Sequence, residues 1–304
     1  KEISAYIPKN KLSNLDRLNL FNVNETFIKE KIGIEKVALK ESNEKASDLC
    51  IYAYNNLLQK LNINSKDIDV LVVVTQNPDY NIPHTSAILH NNLKLLQKCI
   101  CFDISLGCSG YVQGLAIIKS FMETHHLKNG LLFTSDQYSD IINKSDKDTS
   151  LLFGDAATVT LLTDEPEYFM IDFSFGTSGE DFDAIIKKDK YLYMNGRKVF
   201  NFVMNTVPES IDKLFKNLNL NKKDIDCYIF HQGSKFIVDM LAKNLNIPDE
   251  KVPFDIKDYG NTVSSSIPII LEKELRKSHK YILLSGFGVG LSFANTILNK
   301  NGTL

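Results

Sequence analysis

Apolar residues follow two alternating patterns along the chain, one with helical spacing and one of short continuous runs. Between residues 45 and 61 the apolar positions have helical periodicity, which predicts an amphipathic helix. Residues 70–75 form a continuous apolar run, typical of a strand buried on both faces, and residues 100–104 and 131–134 are interpreted in the same way. The alternation predicts an α/β protein with mixed or parallel sheets between helical layers.

The chain also repeats itself once. Seven of nine positions are identical between residues 61–69 and 218–226, at an offset of 157, and each segment precedes an apolar run. Two more pairs follow in the same order: residues 102–104 with 254–256, and 153–154 with 287–288. This period indicates duplication of an α/β unit rather than a solenoid. Chance similarity between two α/β units is the alternative.

Three apolar runs in the second half match those of the first, at residues 228–230, 281–285 and 291–298. Residues 151–153 and 158–162 are predicted to form a hairpin. The stretch 165–196 contains a proline and three glycines and is predicted to be a linker with an irregular inserted loop, where a substrate channel forms.

Composition narrows the class of protein. The 304 residues carry a formal net charge of -2, so no global charge points to nucleic acid or to an anionic membrane. No apolar run reaches the roughly 18–20 residues that span a bilayer. Five cysteines, with no C-x-x-C pair, predict a reducing cytoplasmic setting rather than a disulfide scaffold. The chain opens at Lys1 without Met, and we expect a few residues to precede it.

Cys108 is the first candidate for chemistry. It lies between a buried run and the helical spacing that begins at Tyr111, with Gly107, Ser109 and Gly110 as small neighbours. Such a strand-to-helix turn presents a nucleophile to substrate. The helix N-terminus is expected to favour thiolate over thiol, and its amides can receive an oxyanion. A small buried core cysteine is the alternative.

His231 and Asn261 are the second and third candidates. His231 ends the run 228–230, a setting suited to a base or hydrogen-bond donor; a structural histidine is the alternative. The other five histidines, His279 among them, are assigned to helix ends, loops or the surface. Asn261 alone is typical of a helix cap. The duplication makes its turn the counterpart of the turn at Cys108, and the two turns are expected to face each other across a pseudo-twofold axis beside His231.

Two further motifs are assigned by their context. The glycine-rich segment 286–290 lacks a P-loop lysine and leads into a strand, so a backbone N–H aimed at a reacting carbonyl fits it better than a nucleotide phosphate. No metal site is predicted, because Cys99 and Cys101 alternate on a strand and are expected to point to opposite faces.

Five motifs together resemble those of the β-ketoacyl-acyl carrier protein synthase III family, in family order over nearly the whole chain. They are residues 107–111, 153–156, 231–232, 260–262 with 266–268, and 286–290. The resemblance implies a duplicated thiolase-like αβαβα five-layer fold with two mixed sheets. Its N-terminal half, residues 1–164, carries the cysteine, and its C-terminal half, residues 165–304, carries the histidine and asparagine. It also implies a homodimer.

The resemblance further implies a decarboxylative condensation. Cys108 takes an acyl group from acyl-coenzyme A or acyl-carrier protein, and His231 and Asn261 bind the carbonyl of malonyl-carrier protein as CO2 leaves. The carbanion then attacks the acyl group to give a 3-oxoacyl product. The N–H groups of Cys108 and Val289 form the oxyanion hole. No metal or redox cofactor is implied, since coenzyme A and carrier-protein thioesters are the substrates.

Substrate contacts are implied as well. Phe27 and Lys147 take the places of a tryptophan and an arginine that clamp the coenzyme A adenine, and Lys31 replaces an arginine in the early segment. Ile82 matches the residue that reaches into the acyl pocket of the partner subunit. Phe287 is assigned to the same substrate-binding set.

Departures from the family motifs support a second hypothesis. The His-Gln motif continues with Gly233-Ser234 in place of Ala-Asn, and the arginine that docks carrier protein is replaced near Phe236. Ser234 is therefore a candidate substrate contact. The second hypothesis is an acyltransferase that moves the acyl group from Cys108 to an alcohol, amine or other non-malonyl acceptor. Hydroxymethylglutaryl-type condensation lacks its glutamate base after residues 70–75, and a non-catalytic subunit conflicts with the intact Cys, His and Asn set.

Overall fold

The computed structural model describes residues 1–300 and Gly302. Helices and strands alternate along this part of the chain. The strands are β1 Glu2–Tyr6, β2 Lys11–Ser13, β3 Lys36–Ala38, β4 Val70–Val74, β5 Ile100–Ile104, β6 Asn129–Ser135, β7 Ala157–Thr163, β8 Phe169–Thr177, β9 Ile185–Lys188, β10 Tyr191–Met194, β11 Cys227–Phe230, β12 Tyr281–Gly288 and β13 Ser292–Asn299. The α-helices are α1 Leu18–Phe21, α2 Ala46–Lys60, α3 Thr85–Asn92, α4 Gly110–His125, α5 Lys147–Ser150, α6 Gly196–Leu218, α7 Lys235–Asn244 and α8 Ser266–Glu274. None of these helices is both long and apolar enough to cross a membrane.

Two sheets repeat one strand arrangement. The first has the order β1-β7-β6-β4-β5, in which β4 is parallel to both neighbours and β7 is antiparallel to both. The second has the order β11-β12-β13-β8, in which β11 and β12 are parallel and β13 is antiparallel to both neighbours. The predicted boundary at residues 164 and 165 falls between β7 and β8, which belong to different sheets. The repeated topology confirms the predicted fold class.

Helices and sheets alternate in five layers. In β4, Val70, Val72 and Val74 pack with α4 and α8 in the centre, whereas Leu71 and Val73 pack with α2 on the outside. This is the two-residue periodicity of a strand with both faces buried. Helices α6 and α7 cover the outer face of the second sheet in the same way. Because α4 and α8 share the central layer, the turns that precede them lie close together.

The repeated nine-residue motif has one role in both halves. Each copy ends in a 3-10 turn followed by an aspartate at the start of a strand. Asp69 accepts hydrogen bonds at 3.0 and 3.2 Å from two backbone N–H groups at the start of β6. Asp226 accepts equivalent bonds at 2.6 and 2.9 Å at the start of β12. The carboxylate thus satisfies amides that the sheet leaves free.

Two predictions about local structure are wrong. Residues 151–153 form no hairpin strand, because β7 pairs with β6 and β1 and a single bridge joins Phe153 to Asn261. The stretch 165–196 is not irregular, since it contains β8 and the β9–β10 hairpin. The partners of Phe153 and of β8 are distant in sequence, so local pattern could not reveal them.

Cys99 and Cys101 lie on one face of the sheet, contrary to the prediction. A hydrogen bond from Cys99 lowers the pKa of the Cys101 thiol, and both side chains pack into the same outer core. The physical reason is that residues i and i+2 of a strand share a face. All five cysteines are free.

Candidate active site

Cys108 lies in the tight turn between β5 and α4. Its side chain is only 6% exposed. Burial raises the pKa of the thiol to about 12, although the backbone N–H groups of Val289 and of Cys108 itself hydrogen-bond to the sulfur and lower it in part. The predicted thiolate is therefore wrong for the free protein, because loss of hydration outweighs the local donors.

The glycine-rich segment brings the Val289 amide to the sulfur. A Cβ atom added to Gly288 would lie 2.7 Å from Cys108 Cβ and 2.8 Å from Cys108 Sγ. One added to Gly286 would lie 2.8 Å from the Cys108 carbonyl oxygen. Only glycine permits this backbone approach at both positions. The segment 286–290 thus forms one wall around the thiol.

His231 follows β11 directly and is fixed on several sides. Its backbone N–H donates to the Ser285 carbonyl at 2.8 Å, and the Phe287 ring meets its imidazole edge-on at 5.7 Å. Burial lowers the pKa of His231 to about 3, so the imidazole is neutral. Its Nδ1 lies 2.8 Å from Ser266 Oγ, which accepts a 3.5 Å hydrogen bond from the Gln232 N–H. A Ser266 hydroxyl that donates to Nδ1 would leave the imidazole proton on Nε2.

Asn261 points its side-chain amide at His231. Its Oδ1 accepts from the Val263 N–H at 2.9 Å, which leaves Nδ2 facing His231 Nε2 at 3.5 Å. The backbone of this turn touches the other half directly, since the Gly154 N–H donates to the Asn261 carbonyl at 3.0 Å. A Cβ atom on Gly154 would lie 2.0 Å from the Tyr259 carbonyl oxygen. Glycine at this position therefore allows the N-terminal and C-terminal halves of the chain to pack closely beside the site.

Two pairs of hydrogen-bond donors result from this arrangement. His231 Nε2 and Asn261 Nδ2 are 3.5 Å apart, so with the imidazole proton on Nε2 both could donate to one oxygen placed between them. The N–H groups of Cys108 and Val289 form the second pair at the sulfur. Phe287, predicted to contact substrate, is buried and packs against His231.

A buried polar network behind Cys108 was missed by the sequence analysis. Asp136 accepts hydrogen bonds from the Gln76 N–H at 2.7 Å and from the Ser264 hydroxyl, and burial raises its pKa to about 6. Tyr138 donates to Gln76 Oε1 at 2.8 Å, beside Gly107. The network joins the ends of β4 and β6 to the turn of Asn261. Polar residues directly after two buried strands were the available signal.

The predicted coenzyme contacts cluster on the surface. Lys147 Nζ lies 5.9 Å from the centre of the Phe27 ring, and Lys31 Nζ lies 4.7 Å above the Phe236 ring. Phe236 also stacks on Phe200 at 5.4 Å, a contact that the sequence did not suggest. The structure therefore brings Phe27 together with Lys147, and Lys31 together with Phe236.

Ser234 lies at the N-terminus of a helix, whereas Ile82 lies in an exposed loop. The Ser234 side chain accepts from the Ile237 N–H and caps the N-terminus of α7. Helix capping gives one physical reason for a serine at this position. Ile82 is 88% exposed, in the loop between β4 and α3.

The buried neutral imidazole should make the protein lose stability in acid. An unfolded His231 takes up a proton as the pH falls below about 6.5, whereas the folded one stays neutral down to about pH 3. Over that range unfolding is favoured by at most about 1.4 kcal/mol per pH unit, and above pH 6.5 the group contributes nothing. Urea unfolding at pH 7.5, 6.0 and 5.0 should show a shallower pH dependence for His231→Gln. Identical slopes would show that His231 titrates normally.

Comparison with known proteins identifies the family of this chain. Residues 102–179 match the family description 3-oxoacyl-[acyl-carrier-protein (ACP)] synthase III, and residues 215–300 match its C-terminal counterpart. Proteins named beta-ketoacyl-[acyl-carrier-protein] synthase III from Clostridium tetani and Geobacillus kaustophilus are 31% and 32% identical to this chain. Each alignment covers 96% of this chain and 95% of the relative.

Solved structures give the same result. A crystal structure of 3-oxoacyl-(acyl-carrier-protein) synthase III has a TM-score of 0.93 at 31% identity, and the Aquifex aeolicus 3-oxoacyl-[acyl-carrier-protein] synthase III has 0.92 at 27%. Both comparisons cover 98% of each chain. Fold and site thus define a thiolase-fold condensing enzyme of the acyltransferase type. The chain belongs to the 3-oxoacyl-[acyl-carrier-protein] synthase III family.

Proposed function

We propose that this chain transfers an acyl group from a thioester to Cys108 and then condenses it with a malonyl thioester, with loss of CO2. The proposal rests on one observation, which is that the site contains two separate sets of hydrogen-bond donors. One set surrounds the Cys108 sulfur, and the other combines His231 Nε2 with Asn261 Nδ2. A condensing enzyme needs both, because negative charge develops on one carbonyl oxygen in each half-reaction.

In the first half-reaction Cys108 Sγ attacks the carbonyl carbon of acyl-coenzyme A or acyl-carrier protein. The N–H groups of Cys108 and Val289 receive the oxyanion. The carbon–sulfur bond of the donor breaks, and the released thiol carries away the proton that Cys108 loses. Because the pKa of Cys108 is raised to about 12, the thiol resists ionisation before the donor is bound.

In the second half-reaction malonyl-carrier protein places its thioester carbonyl between His231 and Asn261. Breaking the bond to CO2 leaves an enolate, whose oxygen accepts from both donors. The enolate carbon attacks the acyl carbonyl, the carbon–sulfur bond to Cys108 breaks, and the thiolate takes up a proton. No electrons are exchanged with a redox partner, so the scheme calls for no cofactor beyond the thioester substrates.

The second hypothesis, transfer to a non-malonyl acceptor, is not favoured. It rested partly on Ser234, and that hydroxyl caps α7. The curated relatives are also named as synthases. We therefore propose acyl-coenzyme A or acyl-carrier protein and malonyl-carrier protein as the partners of this chain.

We also propose a homodimer in which Ile82 enters the acyl pocket of the partner subunit. An isoleucine that is 88% exposed leaves apolar surface in water, and a subunit interface would bury it. The five free cysteines suit a reducing compartment, so we place the reaction in the cytoplasm.

Acylation can be tested directly by intact-protein mass spectrometry. After incubation with a panel of acyl-coenzyme A and acyl-carrier thioesters, the protein should gain one acyl group. Cys108→Ser should gain none, whereas Cys50→Ala, at a buried cysteine away from the site, should be acylated normally. Absence of an adduct with every donor would rule out the proposed function.

Coenzyme binding gives a second expected result. Lys147→Glu should raise KM for acyl-coenzyme A about 10-fold with kcat within about two-fold, because it removes a cation beside Phe27 and repels the phosphates. Lys144→Glu, at a nearby exposed lysine, should behave as wild type. An equal effect of Lys147→Glu on acyl-pantetheine, which lacks the nucleotide, would contradict the assignment.

A further inference from the structure

Three side chains that can bind a metal meet at the end of the central layer opposite to Cys108. Cys227 begins β11, Glu274 ends α8, and His279 lies in the loop before β12. Their ligand atoms all lie within 4.8 Å of one another, and His279 Nε2 is 2.8 Å from Glu274 Oε2. Cys227 is 2% exposed and Glu274 is 6% exposed. None of the three takes part in the condensation chemistry.

The cluster is held in place by its surroundings. Tyr168 donates to the backbone carbonyl of His279 at 2.9 Å, and Asp226 binds the two backbone N–H groups that follow this residue. Lys277 pairs with Glu274 Oε1 at 2.8 Å, which leaves Oε2 facing His279. Because these contacts hold the loop on both sides, metal binding by His279 would cost little conformational entropy.

The charges in the cluster suit a cation. The cluster places a thiol, a carboxylate and an imidazole within reach of one ion, and Cys227 and Glu274 are both buried. A divalent cation would displace the thiol proton and join both groups as ligands. The C-terminus of α8 adds the negative end of a helix dipole.

We propose that Cys227, Glu274 and His279 bind a zinc-class divalent cation through Sγ, one carboxylate oxygen and Nε2, with water as the fourth ligand. Sulfur, imidazole and carboxylate together select zinc-like ions over Mg²⁺ and Ca²⁺, which prefer oxygen alone. Tetrahedral zinc with bonds of about 2.0–2.3 Å separates its ligand atoms by roughly 3.3–3.7 Å. Side-chain shifts of about 1 Å reach that geometry from the observed cluster.

The proposed ion would link β11, α8 and the loop before β12, and these three segments also contribute to the active site. β11 leads to His231, β12 leads to Val289, and α8 begins at Ser266, the partner of His231. The cluster lies at the other end of each element, roughly 13 Å away for a four-residue strand or a nine-residue helix. Its role would be structural, outside the acyl-transfer site.

Metal titration of the full chain tests the site. The chelator-treated Cys108→Ala protein, which lacks the active-site thiol, should bind one Zn²⁺ per chain and no Mg²⁺. Co²⁺ should bind with thiolate-to-metal charge-transfer absorption. Cys227→Ala in this background should weaken Zn²⁺ binding more than about 100-fold, since even residues behind the ligands contribute roughly 10–100-fold. Cys99→Ala, at another buried cysteine beside a strand, should bind as before.

Two results would overturn the proposal: no stoichiometric Zn²⁺ binding, or equal affinity in the Cys227→Ala protein. If Cys227→Ala fails to fold by circular dichroism, His279→Gln replaces it, because that residue lies in a partly exposed loop. His279→Gln should then lower the Zn²⁺ affinity at least about 10-fold. Unchanged affinity would count against the site in the same way.

Discussion

Replacing His231 or Asn261 by alanine should slow condensation about 100- to 1,000-fold and leave acylation of Cys108 within about ten-fold of wild type. Each side chain supplies one donor to the oxygen on which charge develops as CO2 leaves, and losing one such donor typically costs this much. Neither donor is needed at the sulfur, where the backbone amides of Cys108 and Val289 act. Single-turnover acylation followed by mass, and CO2 release from malonyl-carrier protein, measure the two steps separately.

Ser266→Ala serves as the matched control for the histidine. Ser266 hydrogen-bonds to Nδ1 of His231 but does not touch the proposed oxygen. Its loss should slow decarboxylation by less than that of His231 and leave acylation unchanged. Equal losses of acylation and decarboxylation in the His231 and Asn261 variants would contradict the division of roles.

Gly288→Ala should slow acylation of Cys108 more than about 100-fold, although every proposed catalytic side chain remains present. The added Cβ atom would lie 2.7 Å from Cys108 Cβ and 2.8 Å from Sγ, closer than real side-chain contacts. Either the thiol or the segment with the Val289 amide must move, and a displaced oxyanion donor alone costs about 100-fold or more. Intact-protein mass measured against time of incubation reports the rate.

Gly233→Ala is the matched control for this prediction. Its added Cβ atom would meet nothing closer than 3.5 Å, although Gly233 also lies beside His231. Its acylation rate should stay within about two-fold of wild type. Circular dichroism and the unfolding midpoint establish that both variants fold. A folded Gly288→Ala protein that acylates at the wild-type rate would show that the close approach does not shape the site.

The fold class could be predicted because the duplicated unit appears twice in the apolar pattern. The run that forms β4 is continuous because both faces of this strand are buried. β8 escaped prediction because its residues are only partly buried or exposed, and its partner β13 is far along the chain. The same reason explains the wrong hairpin at residues 151–153.

The sequence predicted which residues form the candidate site better than it predicted their protonation states. Cys108, His231 and Asn261 follow strand ends or equivalent turns, which is visible in the sequence. The protonation of Cys108 depends on how tightly residues 286–290 cover it, and this closeness exists only in three dimensions. Ser266 was part of a recognised motif, but its contact with His231 joins a helix to a strand from another part of the chain.

The central claim is that Cys108 holds the acyl group while His231 and Asn261 drive loss of CO2. The most direct test isolates acylated protein and mixes it with malonyl-carrier protein labelled in the free carboxyl group. The account predicts that the Cys108 adduct disappears, labelled CO2 forms and the 3-oxoacyl product appears at one rate and in equal amounts. Release of the acyl group as free acid, or its transfer to an acceptor without labelled CO2, would contradict it.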